Sequence, residues 1–207
     1  DGGKKSGMYW DFPEYDQGSI EENDAVEQVA NELNSAVEAK MVSDVPLGAF
    51  LSGGVDSPLV CYHASSDNSN DFKTFSMGSD SPVHDESYLS SQYAEFLGTK
   101  HHTIEMNAKN SLEALEKAVT AAGEPLGDYS ILPTWQVSKL ASSRVTVALS
   151  GDGGDELFFG YERFRSIAKN HWLWPFPYPV RYLVRGMDRL FFHDKYVNEC
   201  VLAKAPG

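Results

Sequence analysis

The segment Ser52-Gly53-Gly54-Val55-Asp56-Ser57 combines residue types that together can bind a polyphosphate. Its two glycines lack a Cβ, so the backbone can turn tightly and bring its amide N–H groups against phosphate oxygens. Its two serines add hydroxyl donors. Asp56 would repel phosphate, and we therefore assign it to the Mg²⁺ that accompanies ATP. The segment predicts an ATP site; the simpler alternative is a strand-to-helix turn in which Asp56 caps the helix.

A second acidic and glycine-rich segment, Ser150-Gly151-Asp152-Gly153-Gly154-Asp155-Glu156, follows an apolar run at 145–149. In open parallel sheets ligands bind beyond the carboxyl ends of the strands, so the two segments would meet at one crevice if their strands are neighbours. Asp155 would then be a second Mg²⁺ ligand beside Asp56. Alternatively, this segment is only a turn whose acidic residues complement the dipole of the following helix.

Apolar runs and amphipathic stretches alternate along the chain and predict the elements that carry these segments. The runs have the length of buried strands and cover residues 46–51, 72–77, 102–106 and 145–149. Apolar residues at helical spacing predict helices over 26–41 and 86–97, the second capped by Asp85 and Glu86 and closed by Gly98. Alternating strands and helices with right-handed crossovers give the fold class: α/β, a Rossmann-like parallel sheet flanked by helices.

The adjacent histidines His101 and His102 invite a metal-binding interpretation. Neighbouring residues on a strand point to opposite faces and cannot easily share one ion. We therefore predict packing roles for both.

Several motifs resemble the synthetase domain of glutamine-hydrolysing asparagine synthetases. The resemblance spans roughly residues 23 to 165 and is carried, in order, by 46–57, Phe75-Ser76-Met77-Gly78, Tyr93 with Leu97-Gly98-Thr99, His101-His102, Glu124-Pro125 with Asp128, Ser130 and Pro133, 148–158 and Gly160-Tyr161. It implies the adenine nucleotide alpha-hydrolase (ATP pyrophosphatase) type of the fold.

The resemblance also implies roles for individual residues. The pyrophosphate part of ATP is expected at Ser52, Gly53, Gly54, Asp56 and Ser57, and the adenosine part at Leu51, Met77, Ser150 and Gly151. Asp56 and Asp155 correspond to Mg²⁺ ligands. Asp152 corresponds to the acid linked to β-aspartyl-AMP formation, where related β-lactam synthetases tend to have tyrosine. Asp128 and Ser130 are expected near the nucleotide or aspartate, although an Asx-type turn before Pro133 is an equal alternative.

The implied function is an ATP-dependent amide-forming ligase. Aspartate is adenylated on its side-chain carboxylate with release of pyrophosphate, and ammonia then gives asparagine and AMP. A related ligase acting on another carboxylate (a β-lactam, lasso peptide or sugar acid) and a non-catalytic ATP-binding domain are the alternatives. The family's glutaminase domain, with its N-terminal catalytic cysteine, has no counterpart here, so we expect a fragment that relies on a glutaminase domain or subunit for ammonia. Pro58, where the family often has serine, removes one amide donor from the loop.

The composition suits one domain with a sizeable core, since 42% of the 207 residues are hydrophobic. The net charge of −13 disfavours nucleic acid as a partner. Cys61 and Cys200 form no disulfide framework, and the uncharged stretch 171–180 is too short to span a membrane. We expect a cytoplasmic enzyme; the sequence leaves open whether it forms homo-oligomers.

Three regions are predicted: an arm or interdomain linker over 1–21, the ATP-binding synthetase domain over 22–170, and an aromatic-rich helical extension over 171–207, truncated relative to the family. In the extension an apolar stripe lies opposite three arginines, Arg181, Arg185 and Arg189. The stripe consists of Val180, Leu183, Val184, Met187 and Phe191. It predicts a helix packed on this domain or on missing sequence, and a membrane-surface helix is the alternative.

Overall fold

The structure is a computed structural model that describes residues 6–11, 20–65, 71–81, 85–124, 127–128 and 130–192. Most of the predicted arm over 1–21 lies outside the described residues. The end of the predicted extension, from residue 193 onward, lies outside them as well.

The described chain contains four strands and eight α-helices. In chain order they are α1 Glu22–Met41, β1 Leu47–Phe50, α2 Asp56–Ser65, β2 Lys73–Ser79, α3 Ser87–Leu97, β3 Lys100–Met106, α4 Ala108–Ala122, α5 Ile131–Ser142, β4 Val147–Leu149, α6 Gly154–Phe158, α7 Glu162–Asn170 and α8 Tyr178–Phe192. A short 3₁₀ helix, His171–Leu173, joins the last two helices. Among the described helices none is both long and apolar enough to cross a membrane.

The strands form one parallel sheet in the order β3-β2-β1-β4. Ala49 in β1 is paired with Thr74 of β2 on one side and with Leu149 of β4 on the other. Strands β2 and β3 are therefore added in turn on one side of β1, and β4 is added on its other side. The reversal leaves a crevice beyond the carboxyl ends of β1 and β4, where ligands bind in sheets of this kind. The predicted parallel sheet flanked by helices is confirmed.

Two hydrophobic clusters cover the two faces of the sheet. On one face α1, α2 and α3 pack around buried residues that include Val37, Ala49, Cys61 and Ala94. On the other face Phe75 packs against Ala141 and Val145, with Val137 and Leu140 of α5 beside them. Covering both faces lets the central strand β1 bury its two inner residues, Gly48 and Ala49. The burial of β1 on both faces fixes the position of the loop that follows it.

Several boundaries differ from the sequence predictions. The strand expected over 145–149 covers only Val147–Leu149, and Val147 is 41% exposed because β4 has a described neighbour on one side only. Helices α4 and α5 were not predicted. The closure of α3 by Gly98 is confirmed: the glycine has φ 69°, and its amide donates to backbone carbonyls of the last turn.

In helix α8 the side that is buried in the described structure carries charged residues. Arg181, Arg185 and Asp188 are buried, whereas Leu183, Met187 and Phe191 are each more than half exposed. Most of the apolar stripe is therefore not covered by the described residues, and its packing on sequence outside this domain stays a prediction. Hydrophobic periodicity identified the helix correctly, but the local tertiary contacts, and not the periodicity, decide which side is buried.

Candidate functional site

The loop after β1 is braced by its own side chains. The amide of Ser52 donates to Oγ of Ser57 at 2.8 Å, and the two serine hydroxyls lie 2.8 Å apart. The amide of Gly54 donates to Oγ of Ser52 at 3.2 Å. Helix α2 begins at Asp56, so the N–H groups of its first turn have no acceptor within the helix and are oriented for an anion.

The segment after β4 packs directly against the first turn of α2, and its glycines make this contact possible. A Cβ on Gly151 would lie 2.7 Å from the amide nitrogen of Ser57. A Cβ on Gly154 would lie 2.5 Å from Cγ of Asp56 and 2.7 and 2.8 Å from its two carboxylate oxygens. A side chain at Gly151 would therefore clash with backbone, and one at Gly154 would force the Asp56 carboxylate to move. The carboxylate of Asp56 therefore lies against the backbone next to Asp155.

Asp155 is held in a similarly narrow space. Gly160 donates its amide to the backbone oxygen of Asp155 at 3.0 Å, and a Cβ on Gly160 would clash with Oδ1 of Asp155. Between them Phe159 adopts a left-handed backbone conformation with φ 56°, which is uncommon for a bulky residue. The turn after α6 thus folds back onto the Asp155 side chain.

The two loops border one cavity of about 770 Å³, a size typical of small-molecule sites. Its lining includes β1, β2, the start of α3 and one side of α5 as well as both loops. The lining residues are Phe50, Leu51, Ser52, Gly54, Val55, Asp56, Ser57, Phe75, Ser76, Met77, Glu86, Ser90, Pro133, Thr134, Val137, Ser150, Gly151, Asp152, Gly153, Asp155, Glu156, Gly160 and Tyr161.

The charged groups of this lining are all acidic: Asp56, Glu86, Asp152, Asp155 and Glu156. Oγ of Ser150 donates to Oδ2 of Asp152 at 3.0 Å, and the Tyr161 hydroxyl donates to Glu156. No lysine, arginine or histidine contributes to the described lining. A polyanion in this cavity would therefore depend on backbone amides, hydroxyl groups and an accompanying cation.

The structure brings most of the predicted site residues together. Ten of them line the cavity: Leu51, Ser52, Gly54, Asp56, Ser57, Met77, Ser150, Gly151, Asp152 and Asp155. Gly53 belongs to the loop but faces α3 instead of the cavity. Asp128 and Ser130 precede α5 and are not part of the lining; Oδ1 of Asp128 accepts the amide of Ser130 at 2.8 Å. This bond is the Asx-type turn that was the alternative for the pair, and it holds the pKa of Asp128 below its usual range.

Sequence reasoning missed Glu86 as a cavity residue. We expected Asp85 and Glu86 to cap α3, but only Asp85 does so, by accepting the amide of Ser87 at 3.0 Å. Glu86 makes no capping bond and instead accepts the amide of Gly53 at 3.0 Å. The residues from α5, Pro133, Thr134 and Val137, were also missed as lining because the helix itself was not predicted. The sequence did show a carboxylate at the start of the helix after β2, close to where the cavity was expected, and this feature could have identified Glu86 as a lining residue.

A family model described as asparagine synthase matches residues 28–206, which is most of the chain. The chain belongs to the asparagine synthase family. Among relatives in this family, a putative glutamine-hydrolysing asparagine synthetase 2 of Methanocaldococcus jannaschii is 39% identical over 155 residues, covering 74% of this chain and 30% of that protein.

Other similar proteins extend the comparison. Asparagine synthetase 1 (glutamine-hydrolysing) of Bacillus subtilis is 37% identical over 145 residues, covering 70% of this chain and 23% of that protein. A Penicillium rubens protein named amidase chyE is 28% identical over 176 residues, covering 76% of this chain and 26% of that protein. This chain thus spans less than a third of the length of these relatives. A solved NH₃-dependent NAD synthetase from Campylobacter jejuni covers 65% of this chain and 60% of its own, at 15% identity with a TM-score of 0.45.

Proposed function

We propose that this chain is the ATP-binding part of an amide-forming ligase that adenylates the side-chain carboxylate of aspartate. The observation that carries the proposal is the contact between the two loops: the Asp56 carboxylate lies against the backbone of Gly154, the neighbour of Asp155, and both aspartates line one cavity. Two carboxylates and a glycine-rich loop at the reversal point of a parallel sheet are well suited to a nucleotide polyphosphate with its metal.

The proposed chemistry has two steps. An oxygen of the aspartate side chain attacks the α-phosphorus of ATP, and the bond between that phosphorus and the β-phosphate oxygen breaks, releasing pyrophosphate. Ammonia then attacks the acyl carbon, and AMP leaves as the amide forms. Negative charge grows on the leaving pyrophosphate in the first step, and the N–H groups at the start of α2, together with the Ser52 and Ser57 hydroxyls, would stabilise it. Leu51, Met77, Ser150 and Gly151 would border the adenosine part.

The carboxylates present fit a magnesium ion bound together with phosphate. Mg²⁺ commonly takes one or two protein carboxylates and completes its shell with water and substrate phosphates. Asp56 and Asp155 supply two, and the described residues contain no group of three His, Cys, Asp or Glu side chains that would form an all-protein site. When bound, the ion would neutralise charge on the polyphosphate. Asp56 and Asp155 are the residues we assign to hold it.

Asp152 is the residue we assign to the carboxylate-activating step. It lines the cavity from the same loop as Asp155, and its Oδ2 accepts the Ser150 hydroxyl. A second candidate is a related ligase that activates a different carboxylate. The similarity to a protein named amidase supports including other carboxylic acids in the test. Because the relatives are named glutamine-hydrolysing and this chain spans under a third of their length, we propose that ammonia reaches the site from a glutaminase domain or subunit.

The test measures pyrophosphate release by the full-length protein that carries this chain, with ATP, Mg²⁺, ammonium and a panel of carboxylic acids. We expect aspartate to drive release. Asp56→Asn and Asp155→Asn should each lower kcat/KM by at least about 100-fold, because each removes a charge that holds the metal. Asp44→Asn is the matched control: it is exposed, lies outside the cavity and should change kcat/KM by less than about twofold.

Two results would redirect the proposal. If aspartate is inert and another acid drives pyrophosphate release, the related ligase is correct. If ATP binds but no acid in the panel leads to pyrophosphate, the chain is a nucleotide-binding domain without turnover and the ligase proposal is wrong.

A further inference from the structure

One amide of the nucleotide-binding loop is already occupied by a carboxylate of the same chain. The N–H of Gly53 donates to Oε2 of Glu86 at 3.0 Å, across 33 positions of sequence. The two segments are also in close contact, since a Cβ on Gly53 would lie 3.0 Å from Cβ of Glu86 and 3.2 Å from Cβ of Leu89. The start of α3 is therefore packed on the loop at the one glycine that does not border the cavity.

The position of Glu86 is fixed by its neighbour. Oδ1 of Asp85 accepts the amides of Ser87 and Ser79, at 3.0 and 3.3 Å, and so ties the first turn of α3 to the end of β2. A hydrogen bond from the Ser87 side chain, together with these two amide bonds, holds the pKa of Asp85 below its usual range. Because Asp85 satisfies the helix terminus, Glu86 is not needed as a cap. Its side chain is exposed and also borders the cavity.

Glycine amides of such a loop are the donors that phosphate oxygens require. The carboxylate of Glu86 accepts one of them while it adds a negative charge beside the proposed polyphosphate position. An exposed carboxylate exchanges readily with water, so this bond can break without the penalty that a buried ion would incur.

We propose that Glu86 is an internal competitor for the loop, one that occupies the Gly53 amide in the nucleotide-free protein and is displaced when a polyphosphate binds. This inference rests on the proposed function, because it assumes that the loop binds phosphate. The competition acts more strongly on a metal-free polyphosphate than on its Mg²⁺ complex, since the ion neutralises charge that Glu86 would otherwise repel. Glu86 thereby favours the magnesium complex over the free anion.

The probe is inorganic pyrophosphate, and its Kd for the full-length protein is measured by calorimetry in EDTA and again with excess Mg²⁺. Glu86→Gln keeps the size and an acceptor oxygen but removes the charge. We expect it to tighten metal-free binding by about tenfold and binding with Mg²⁺ by less than about threefold. Glu95→Gln is the matched control, because it removes the same charge from the exposed side of α3 away from the cavity; it should change neither Kd by more than about twofold.

A ligand-free measurement tests the contact separately. In protein labelled with ¹⁵N-glycine, the Gly53 amide proton should shift upfield in Glu86→Gln and stay in place in Glu95→Gln, because a charged acceptor gives the stronger hydrogen bond. An unchanged Gly53 shift, or a Glu86→Gln protein that binds pyrophosphate no more tightly than Glu95→Gln, overturns the competitor role. If pyrophosphate with Mg²⁺ binds wild type and Asp56→Asn equally weakly, the proposed function itself fails.

Discussion

Gly154 gives the Asp56 carboxylate the space in which it lies. The two residues come from loops about a hundred positions apart in sequence, yet a single added methyl group at Gly154 would lie 2.5 Å from Cγ of Asp56. The atoms it would meet are the end of the Asp56 side chain at the start of a helix, so an added methyl group would force that carboxylate to move. The arrangement of the acidic site therefore depends on the absence of a side chain.

We predict that Gly154→Ala displaces Asp56 and lowers kcat/KM for pyrophosphate release by at least about tenfold, at a stability cost of about 1–3 kcal/mol from overpacking. The control is Gly186→Ala in α8, where an added Cβ meets nothing within 4 Å. It should leave kcat/KM unchanged and stabilise the protein slightly, since alanine is the better helix former. Steady-state kinetics and urea unfolding measure the two effects. Unchanged kinetics in Gly154→Ala would contradict the close contact.

Strands β2 and β3 are joined on one face by a ladder of polar side chains. His101 lies between Thr74 and Ser76, with its Nδ1 2.9 Å from the threonine hydroxyl and its Nε2 3.0 Å from the serine hydroxyl. His102 points to the other face and stacks on Phe75, so the two histidines occupy opposite sides of the sheet. Ser76 also borders the cavity, which connects this ladder to the candidate site.

Burial, reinforced by the charge of His102, lowers the pKa of His101 below its ordinary value of 6.5. As the pH falls, the unfolded chain therefore binds a proton at His101 at a higher pH than the folded chain does. The contribution of neutral His101 to the free energy of unfolding should be fully present well above pH 6.5. It should decrease as the pH falls through that value toward the lower pKa of the folded state.

Replacing His101 by glutamine should reduce this pH dependence. We expect the urea midpoint of the wild type to fall more between about pH 7.5 and pH 5 than that of His101→Gln. His102, whose pKa is also lowered mainly by burial, remains in the variant and accounts for part of the residual slope. Identical slopes for the two proteins would show that His101 keeps its ordinary pKa in the folded state.

On the scale of the whole molecule, the core between α1, α2 and the sheet contains one buried thiol. Cys61 is fully buried, and burial raises the pKa of its thiol from 9.0 to about 12. Its Sγ lies 3.6 Å from the backbone oxygen of Phe50, at the end of the strand that carries the nucleotide loop. Access to this thiol requires the helices to separate from the sheet, so its reactivity measures opening of the domain.

We predict that iodoacetamide at about pH 8 labels Cys61 in the folded protein at least about 100-fold more slowly than in urea. Cys200 lies outside the described residues and is replaced by serine to leave a single reporter thiol. Saturating ATP with Mg²⁺ should slow labelling further, because a ligand that binds only the folded state lowers the population of open states. Labelling at the same rate with and without urea would contradict the buried position.

The chemistry of the two loops and the class of the fold could be predicted from the sequence. Gly53-Gly54 with Asp56, and the acidic segment up to Asp155, follow apolar runs directly, and such local patterns determine which residue types end each strand. The parallel arrangement also followed, because strands that alternate with helices leave few other topologies. These features depend on residues close together in the chain.

Only the tertiary structure decided how distant segments meet. In the folded chain Glu86 accepts the Gly53 amide, and Asp85 instead caps α3. Helix α5 forms part of the cavity wall, and most of the apolar side of α8 is exposed. Each of these outcomes depends on packing between elements far apart in sequence, and periodicity shows that a helix has two sides without showing which neighbour covers either. Local composition therefore determined the chemistry available to this protein, and long-range packing determined which groups face one another.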